Sequence, residues 1–309
     1  MSRRPVQSFS MNSSPKIIIN ADDLGFSPQV NAAILRCAER GTITAASVMV
    51  NMPFAESALQ QVQERVPQLS LALHFTLTSG KPMSPPQEVP LLVDANGMFR
   101  LGFISLWKIL ASKQKNALLS QIQTELSAQM NRMDQLTENY KLRFDHLDSH
   151  QHVHVLPGIG KLLQQEATQR RLPLRVPRER WGDFQRWSRR CWTWLPGGLL
   201  KQAILNVCLR KVPQTIGYFG ILETGRMDMS ALLAIFQSVQ KNRSFATYEI
   251  NTHPSALTET EEQSKICCSE ADKQFHASLW REREFQVLNC DDVLRWTQQY
   301  GITLAGFDG

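Results

Sequence analysis

Ile17-Ile18-Ile19-Asn20-Ala21-Asp22-Asp23-Leu24-Gly25 is the stretch that decides the fold. Three branched apolar residues in a row are typical of a strand buried on both faces of a parallel sheet. Two adjacent carboxylates follow the strand, and Pro28 and Gly41 then bracket a predicted helix over 28–40. A strand followed by a helix, with polar residues between them, is the repeating unit of an α/β fold. In such folds the chemistry lies at the carboxyl ends of the strands.

The same alternation continues along the chain as about eight β/α units, which predicts a mainly parallel sheet. We expect a distorted (β/α) barrel, with a doubly wound α/β fold as the alternative. The predicted strands cover 16–20, 42–52, 69–75, 144–147, 173–176, 217–222, 245–250 and 302–305. The predicted helices cover 28–40, 53–65, 115–136, 157–168, 196–210, 229–240 and most of 281–300. Residues 1–15 are expected to be a flexible N-terminus, and 16–309 a single domain with a basic, Trp-rich insertion at about 170–211.

The composition excludes several classes of protein. The 309 residues are 42% hydrophobic and 20% charged, which is ordinary for a globular chain and too apolar for a disordered one. We find neither a run of about 20 apolar residues nor a secretory signal, so we expect a cytoplasmic protein. The six cysteines are scattered without a CxxC pair, which favours reduced thiols.

The net charge of +6 comes from one segment. Residues 169–190 contain eight arginines against Glu179 and Asp183, so the rest of the chain is neutral in sum. Three interpretations remain open here: a solvated basic face above packed tryptophans, a surface that docks on lipid, and stacking on sugar rings. Nucleic acid is not expected as a partner, because no recognition motif accompanies the charge. Four tryptophans alternate with these arginines: Trp181, Trp187, Trp192 and Trp194.

Histidines follow three of the other predicted strands. His74 ends one apolar strand and His253 another, and each alone is also compatible with a packed core histidine. The range 146–154 is more informative, because it holds four of the seven histidines in nine positions. In an extended chain, its members at positions 150, 152 and 154 would point to one face.

The carboxylates and imidazoles from these four strand ends should meet at one mouth of a parallel barrel. One carboxylate with two imidazoles, leaving positions open for water, is typical of a catalytic metal site. A neighbouring carboxylate can act as general base, and a facing histidine can protonate a leaving group. The pattern therefore predicts metal-assisted hydrolysis of an amide or an ester.

These motifs resemble the YdjC/ChbG family of carbohydrate deacetylases. The resemblance rests on the range 20–27, on Leu73-His74-Phe75, on the range 148–154 and on His253-Pro254, and it extends from about residue 16 to residue 307. It implies a distorted (β/α) barrel related to polysaccharide deacetylases. It also implies the removal of an N-acetyl group from an amino sugar.

The resemblance also implies roles for particular residues. The metal ligands would be Asp23, His74 and His150, with Asp22 as general base and His253 as the acid. Mg²⁺ is the usual metal of the family, whereas two imidazoles suit Zn²⁺ better. The residues that would lie behind the ligands or face the substrate are His152, His154, Arg175 and Arg281.

The segment 170–211 is longer and more basic than in the chito-oligosaccharide enzymes of the family. Together with a pattern over 89–100, it resembles the hopanoid-biosynthesis-associated (HpnK-like) branch, in which a lipid carries the amino sugar. The partners implied are therefore an acetylated amino sugar, free or lipid-linked, a membrane surface contacted through 170–211 at the inner membrane, and a second copy in a homodimer. The alternative functions are a metal-dependent hydrolase of another amide, ester or phosphoester, and a membrane-surface scaffold.

Overall fold

The computed structural model describes residues 14–179, 204–205, 207–210, 212–221, 223–224, 226–256, 274–275 and 278–307. The expected flexible N-terminus, apart from its last two residues, lies outside this description, as do the four tryptophans of the basic segment. Among the helices described, none combines the length and the apolar character that crossing a bilayer requires.

Strands and helices alternate along the described residues. The strands are β1 (Lys16–Leu24), β2 (Ala45–Val48), β3 (Ser70–Phe75), β4 (His146–Ser149), β5 (Gly217–Phe219), β6 (Thr247–Thr252) and β7 (Thr303–Leu304). The helices are α1 (Pro28–Glu39), α2 (Ala55–Arg65), α3 (Phe103–Leu110), α4 (Lys115–Asn139), α5 (Ile159–Arg170), α6 (Met229–Lys241), α7 (Leu279–Leu288) and α8 (Asp292–Tyr300). A short 3₁₀ helix, His150–Val155, follows β4 directly.

The strands form one parallel sheet in the order β4-β3-β2-β1-β6-β5, with β7 beside the start of β1. The sheet is curled. This is seen from the ring of His152, just after β4, which lies 6.1 Å from the ring of Tyr218 on β5. Two segments at opposite edges of the sheet therefore meet above it. This arrangement confirms the expected α/β fold, a distorted (β/α) barrel.

β1 is a buried strand of the parallel sheet, as its sequence predicts, and it has a neighbour on each side. Ile17, Ile18 and Ile19 are buried, and β1 pairs in parallel with β2 on one side and with β6 on the other. Ser27 caps the following helix by accepting a hydrogen bond from the amide of Val30 at 3.2 Å. The start of α1 is thus fixed just after the carboxylates that end β1.

Several predicted boundaries differ from the structure. The strand expected over 42–52 shortens to four residues, and α3 has no counterpart in the prediction. The strand expected over 173–176 is a single bridge, in which Leu174 pairs with Leu147 at the edge of β4. This bridge is short, but it brings the next residue, Arg175, to the carboxyl end of the sheet.

The expected extended chain at the histidine cluster is wrong. Residues 150–155 form a 3₁₀ helix, in which Gln151 and His152 have left-handed φ values of 55° and 58°. This turn separates the histidines, so that His150 approaches β3 while His152 approaches β5.

Candidate metal centre and active site

Both carboxylates at the end of β1 face the same site, although neighbouring side chains of a regular strand point to opposite faces. The pairing with β2 shifts register between Ala21 and Leu24, and Asp23 has a φ of 72°. This irregularity re-aims the second carboxylate. Gly25 completes the turn at a φ of 98°, where a Cβ would lie 2.8 Å from the Cα of Ala55.

Asp23, His74 and His150 bring three potential metal ligands together. One donor atom from each lies within 4.8 Å of the others. Oδ1 of Asp23 is 3.1 Å from Nδ1 of His150 and 3.5 Å from Nε2 of His74. Two donors that each lie about 2.1 Å from a shared ion are roughly 3 to 4 Å apart. The donor set therefore fits a divalent cation, and three protein ligands would leave coordination positions of that cation for water and substrate.

Asp148 fixes the orientation of the His74 imidazole. His74 and Asp148 are register partners on β3 and β4, and Nδ1 of His74 is 2.7 Å from Oδ1 of Asp148. Because a carboxylate accepts, Nδ1 carries the proton, and the lone pair of Nε2 faces the aspartates of β1. This carboxylate–imidazole pair is the arrangement that usually supports a histidine that binds a metal.

Arg175 connects the carboxylates behind the metal-ligand candidates. Its two Nη atoms lie 3.1 and 3.0 Å from the oxygens of Asp22, and Nη2 is 2.8 Å from Oδ2 of Asp148. Its Nε donates to Oε1 of Glu249 at 2.7 Å. This fully buried arginine, for which sequence analysis implies a place behind the ligands or against the substrate, therefore holds three carboxylates in place.

Asp22 is held in its ionised form. Burial alone would raise its pKa, but Arg175, His74 and His253 together hold the pKa of this carboxyl well below its usual range. Asn20 and Asn251 also donate to it, at 2.8 and 3.0 Å. A carboxylate with these donors stays charged and rigidly placed at working pH.

His253 faces Asp22 from the end of β6. Its Nε2 is 3.7 Å from Oδ2 of Asp22, and Glu284 accepts a hydrogen bond from its backbone amide at 2.6 Å. Burial lowers the pKa of His253 to about 4, although Asp22 and Asp23 oppose the shift. The imidazole is therefore neutral at neutral pH.

Arg281 contacts the candidate metal ligand Asp23. It extends from α7 and is fully buried, and its Nη1 donates to Oδ2 of Asp23 at 3.1 Å. Because this bond uses Oδ2, the other carboxylate oxygen of Asp23, Oδ1, faces the two imidazoles. Arg281, which the resemblance places behind the ligands or against the substrate, thus forms an ion pair that orients a candidate ligand.

The two remaining sequence candidates lie within the 3₁₀ helix. Nε2 of His154 is 3.0 Å from the carbonyl oxygen of Arg175, and its Nδ1 is 2.5 Å from Oγ of Ser149. Both ring nitrogens are thus committed to protein atoms, and His154 supports the backbone at Arg175 instead of facing the substrate. His152 lies against the ring of Tyr218 instead.

Sequence analysis missed several residues that the site depends on, and one signal would have found some of them. Glu249 and Asn251 alternate with apolar residues on β6 and precede His253, so period-two alternation places them on the same face. The site residues to which the sequence analysis gives no role are Asn20, Ser47, Asp148, Glu249, Asn251 and Glu284.

Comparison with known proteins shows that the chain is similar to proteins named as carbohydrate deacetylases. A protein of Brevibacillus brevis named "Carbohydrate deacetylase" is 32% identical over 94% of this chain and 98% of its own length. A "Chitooligosaccharide deacetylase" of Proteus mirabilis is 37% identical over 52% of this chain and 59% of its own length. A solved structure from Enterococcus faecalis V583, 24% identical, superposes with a TM-score of 0.70 and covers 96% of this chain and 98% of that one.

The structural likeness supports the fold, and the sequence matches also identify the family. The model of the family described as YdjC-like protein matches residues 16–299, which is nearly the whole chain. The chain belongs to the YdjC-like protein family.

Proposed function

We propose that this protein is a metal-dependent hydrolase that removes the N-acetyl group from an acetylated amino sugar. The convergence of Asp23, His74 and His150 beside Asp22 and His253 carries this proposal. The names of the relatives support the substrate class. Residues 16–309 would form the single catalytic domain.

Asp23, His74 and His150 would hold the ion. A divalent cation supplies Lewis-acid chemistry, since it polarises a carbonyl and makes water a better nucleophile at neutral pH. A ligand set with two imidazoles favours Zn²⁺ or another transition ion over Mg²⁺. Asp148 and Arg281 would position His74 and Asp23 for this role.

Asp22 would accept the proton of the water that attacks the acetamide carbonyl. It is ionised at working pH, and Arg175 holds both of its oxygens, so it is ready to accept a proton without moving. The same contacts make it a weak base, which favours rapid transfer of that proton onward.

His253 would receive this proton and deliver it to the departing nitrogen. Its Nε2 lies 3.7 Å from Oδ2 of Asp22, and it is neutral at rest, so it has a vacant nitrogen position for the proton. When the C–N bond breaks, the proton goes to the amine, and acetate and a free amino sugar leave the site.

A paired substitution tests these roles. We expect Asp22→Asn to keep metal binding and to lose at least 100-fold in turnover, because the amide cannot accept the proton. We expect His150→Ala to lose the metal itself. Wild-type turnover in Asp22→Asn, measured as acetate release from N-acetylglucosamine oligomers, would contradict the assignment of the base.

The finer identity of the substrate also belongs to the proposal. The basic segment 170–211 supports a lipid-linked amino sugar, as in the HpnK-like branch, because arginine and tryptophan favour anionic membrane surfaces. Acetate release from N-acetylglucosaminyl lipid should then exceed release from free oligomers. Flotation with anionic liposomes should weaken in a Trp187→Ala/Trp192→Ala variant. Equal rates on both substrates would favour a soluble sugar, and activity only on esters or phosphoesters would favour the other hydrolase class.

A further inference from the structure

Tyr218 lies beside the site, and the mechanism proposed above gives it no role. It is the register partner of Glu249 on the neighbouring strand, so both side chains project to the same face of the sheet. Glu249 bonds Arg175 on that face, and Cζ of Arg175 lies 5.9 Å from the centre of the Tyr218 ring. Tyr218 therefore faces the interior of the barrel, beside the arginine that fixes Asp22.

The Tyr218 ring is held on two sides. Arg175 lies over its face, and the ring of His152 packs against it at 84° with 6.1 Å between the centroids. Only 4% of the residue is exposed. The hydroxyl is thus presented at a defined place by a ring that packing keeps from turning away.

The hydroxyl of Tyr218 makes no hydrogen bond to any residue within the described part of the chain. Burying an unpaired hydroxyl destabilises a protein, so buried hydroxyls are nearly always bonded. Tyr248, on the adjacent strand, shows the usual arrangement: its hydroxyl donates to the carbonyl oxygen of Asn242 and accepts from the amide of Phe245. Among the described residues, the Tyr218 hydroxyl thus lacks the partners that the Tyr248 hydroxyl has.

Tyr218 is also suited to bind and not to react. Burial raises its pKa well above the usual value, in spite of Arg175, so the phenol keeps its proton throughout the working pH range. A neutral phenol both donates and accepts hydrogen bonds. It matches a sugar hydroxyl, which also does both.

We propose that the Tyr218 hydroxyl binds a ring hydroxyl of the amino sugar and thereby selects the sugar. This inference rests on the proposed function, because the acetyl group has to meet Asp23, His74 and His150. The Tyr218 ring contacts Arg175, which holds Asp22, and His152, two positions after the ligand candidate His150, so Tyr218 lies next to the groups that would hold the acetamide.

Tyr218→Phe provides the test, with Tyr248→Phe as its matched control. We expect Tyr218→Phe to unfold at a higher temperature than the wild type, because it removes a buried unpaired hydroxyl, and to lose about tenfold in kcat/KM through KM. We expect Tyr248→Phe to unfold at a lower temperature and to keep its kcat/KM. Metal affinity should stay unchanged in both variants.

Substrate analogues identify the bonded group. In a set of N-acetylglucosamine disaccharides that each lack one hydroxyl, one analogue should lose about tenfold in kcat/KM with the wild type and nothing further with Tyr218→Phe. Unchanged kcat/KM in Tyr218→Phe, or a fall in its unfolding temperature like that of Tyr248→Phe, would overturn the inference. Failure of the proposed function looks different, because the wild type itself would then release no acetate.

Discussion

An aspartate–histidine pair lies at each end of the neighbouring strands β3 and β4, and only one of these pairs belongs to the site. At the carboxyl ends, Nδ1 of His74 is 2.7 Å from Asp148. At the amino ends, Nδ1 of His146 is 2.6 Å from Asp145. Both imidazoles are buried, although the Asp145 carboxylate is partly exposed and that of Asp148 is not, so neither the burial of the ring nor the pair itself distinguishes the two regions.

The two regions differ in the other side chains that surround the histidine at each end of the strands. The carboxyl end receives the two aspartates of β1, His150 after β4, Arg175 and Arg281, so that charges of both signs surround His74. At the amino end, Phe307 stacks on the ring of His146 with 3.6 Å between the centroids. One ring faces potential metal ligands and the other is covered by a phenyl ring. Convergence of several strand ends, and not the pair, makes the site.

The largest contrast is expected between His150→Ala and His146→Ala. Removing one of three ligands should abolish stoichiometric metal binding and lower acetate release at least 100-fold. His146→Ala should lower the free energy of unfolding, because it opens a buried cavity, and keep metal affinity. Metal titration of the stripped proteins and urea unfolding check both. If folded His146→Ala failed to bind the metal, the conclusion that only the pair at the carboxyl ends belongs to the site would be wrong.

A smaller contrast concerns the aspartate partners. Asp148→Asn should weaken metal affinity about 10- to 100-fold, because His74 loses the carboxylate that orients it. Asp145→Asn makes the same chemical change at the opposite end and should leave metal affinity unchanged. Competition with a coloured chelator measures both. Equal affinities in the two variants would show that Asp148 does not support a ligand.

Acidification should remove the stabilising contribution of the buried, neutral His154 imidazole. Burial lowers the pKa of His154 to about 4, mainly against the opposing charge of Asp148, whereas an unfolded histidine titrates near 6.5. The stabilising contribution is complete above pH 6.5 and is lost as the pH falls toward 4, because the unfolded chain then binds the proton and the folded one does not. From pH 7 to pH 5 this amounts to about 2 kcal/mol.

Urea unfolding at several pH values measures this loss. His154→Gln keeps a polar side chain without the titration, so its free energy of unfolding should fall by about 2 kcal/mol less over the same range. A parallel pH dependence in the two proteins would remove His154 as the cause.

The smallest expected effect is at Phe307. Phe307→Ala removes the ring stacked on His146 and should cost about 1 kcal/mol of stability. Acetate release should not change, because the pair at the amino ends takes no part in the reaction. A drop in activity with unchanged stability would indicate that the two ends of β3 and β4 are coupled.

The sequence predicts the sheet and most of the candidate residues, because both depend on periodicity. Three isoleucines indicate a buried parallel strand, and polar residues at strand ends indicate the site. The direction in which each side chain points cannot be predicted from periodicity. Asp22 and Asp23 both face the site only because β1 shifts register, and the histidines after β4 separate because Gln151 and His152 are left-handed.

Long-range pairing is the other feature that local pattern cannot supply. Arg175 bonds Asp22, which is 153 positions away in the chain, and a short bridge brings it there where a full strand is expected. The resemblance likewise leaves open whether Arg281 and His154 lie behind the ligands or face the substrate, and only the structure shows which protein atoms they bond. Such roles depend on the closed fold and not on neighbouring residues.

The central claim is tested most directly by acetate release from metal-stripped protein to which Zn²⁺, Mn²⁺, Co²⁺ or Mg²⁺ is restored singly. N-acetylglucosamine oligomers and N-acetylglucosaminyl lipid serve as substrates, and His150→Ala as the control. We expect acetate only after a metal is restored to the wild type, and none from the control with any ion. Acetate release from the stripped protein at the restored rate, or none from any pairing of metal and substrate while the metal is bound, would contradict the account.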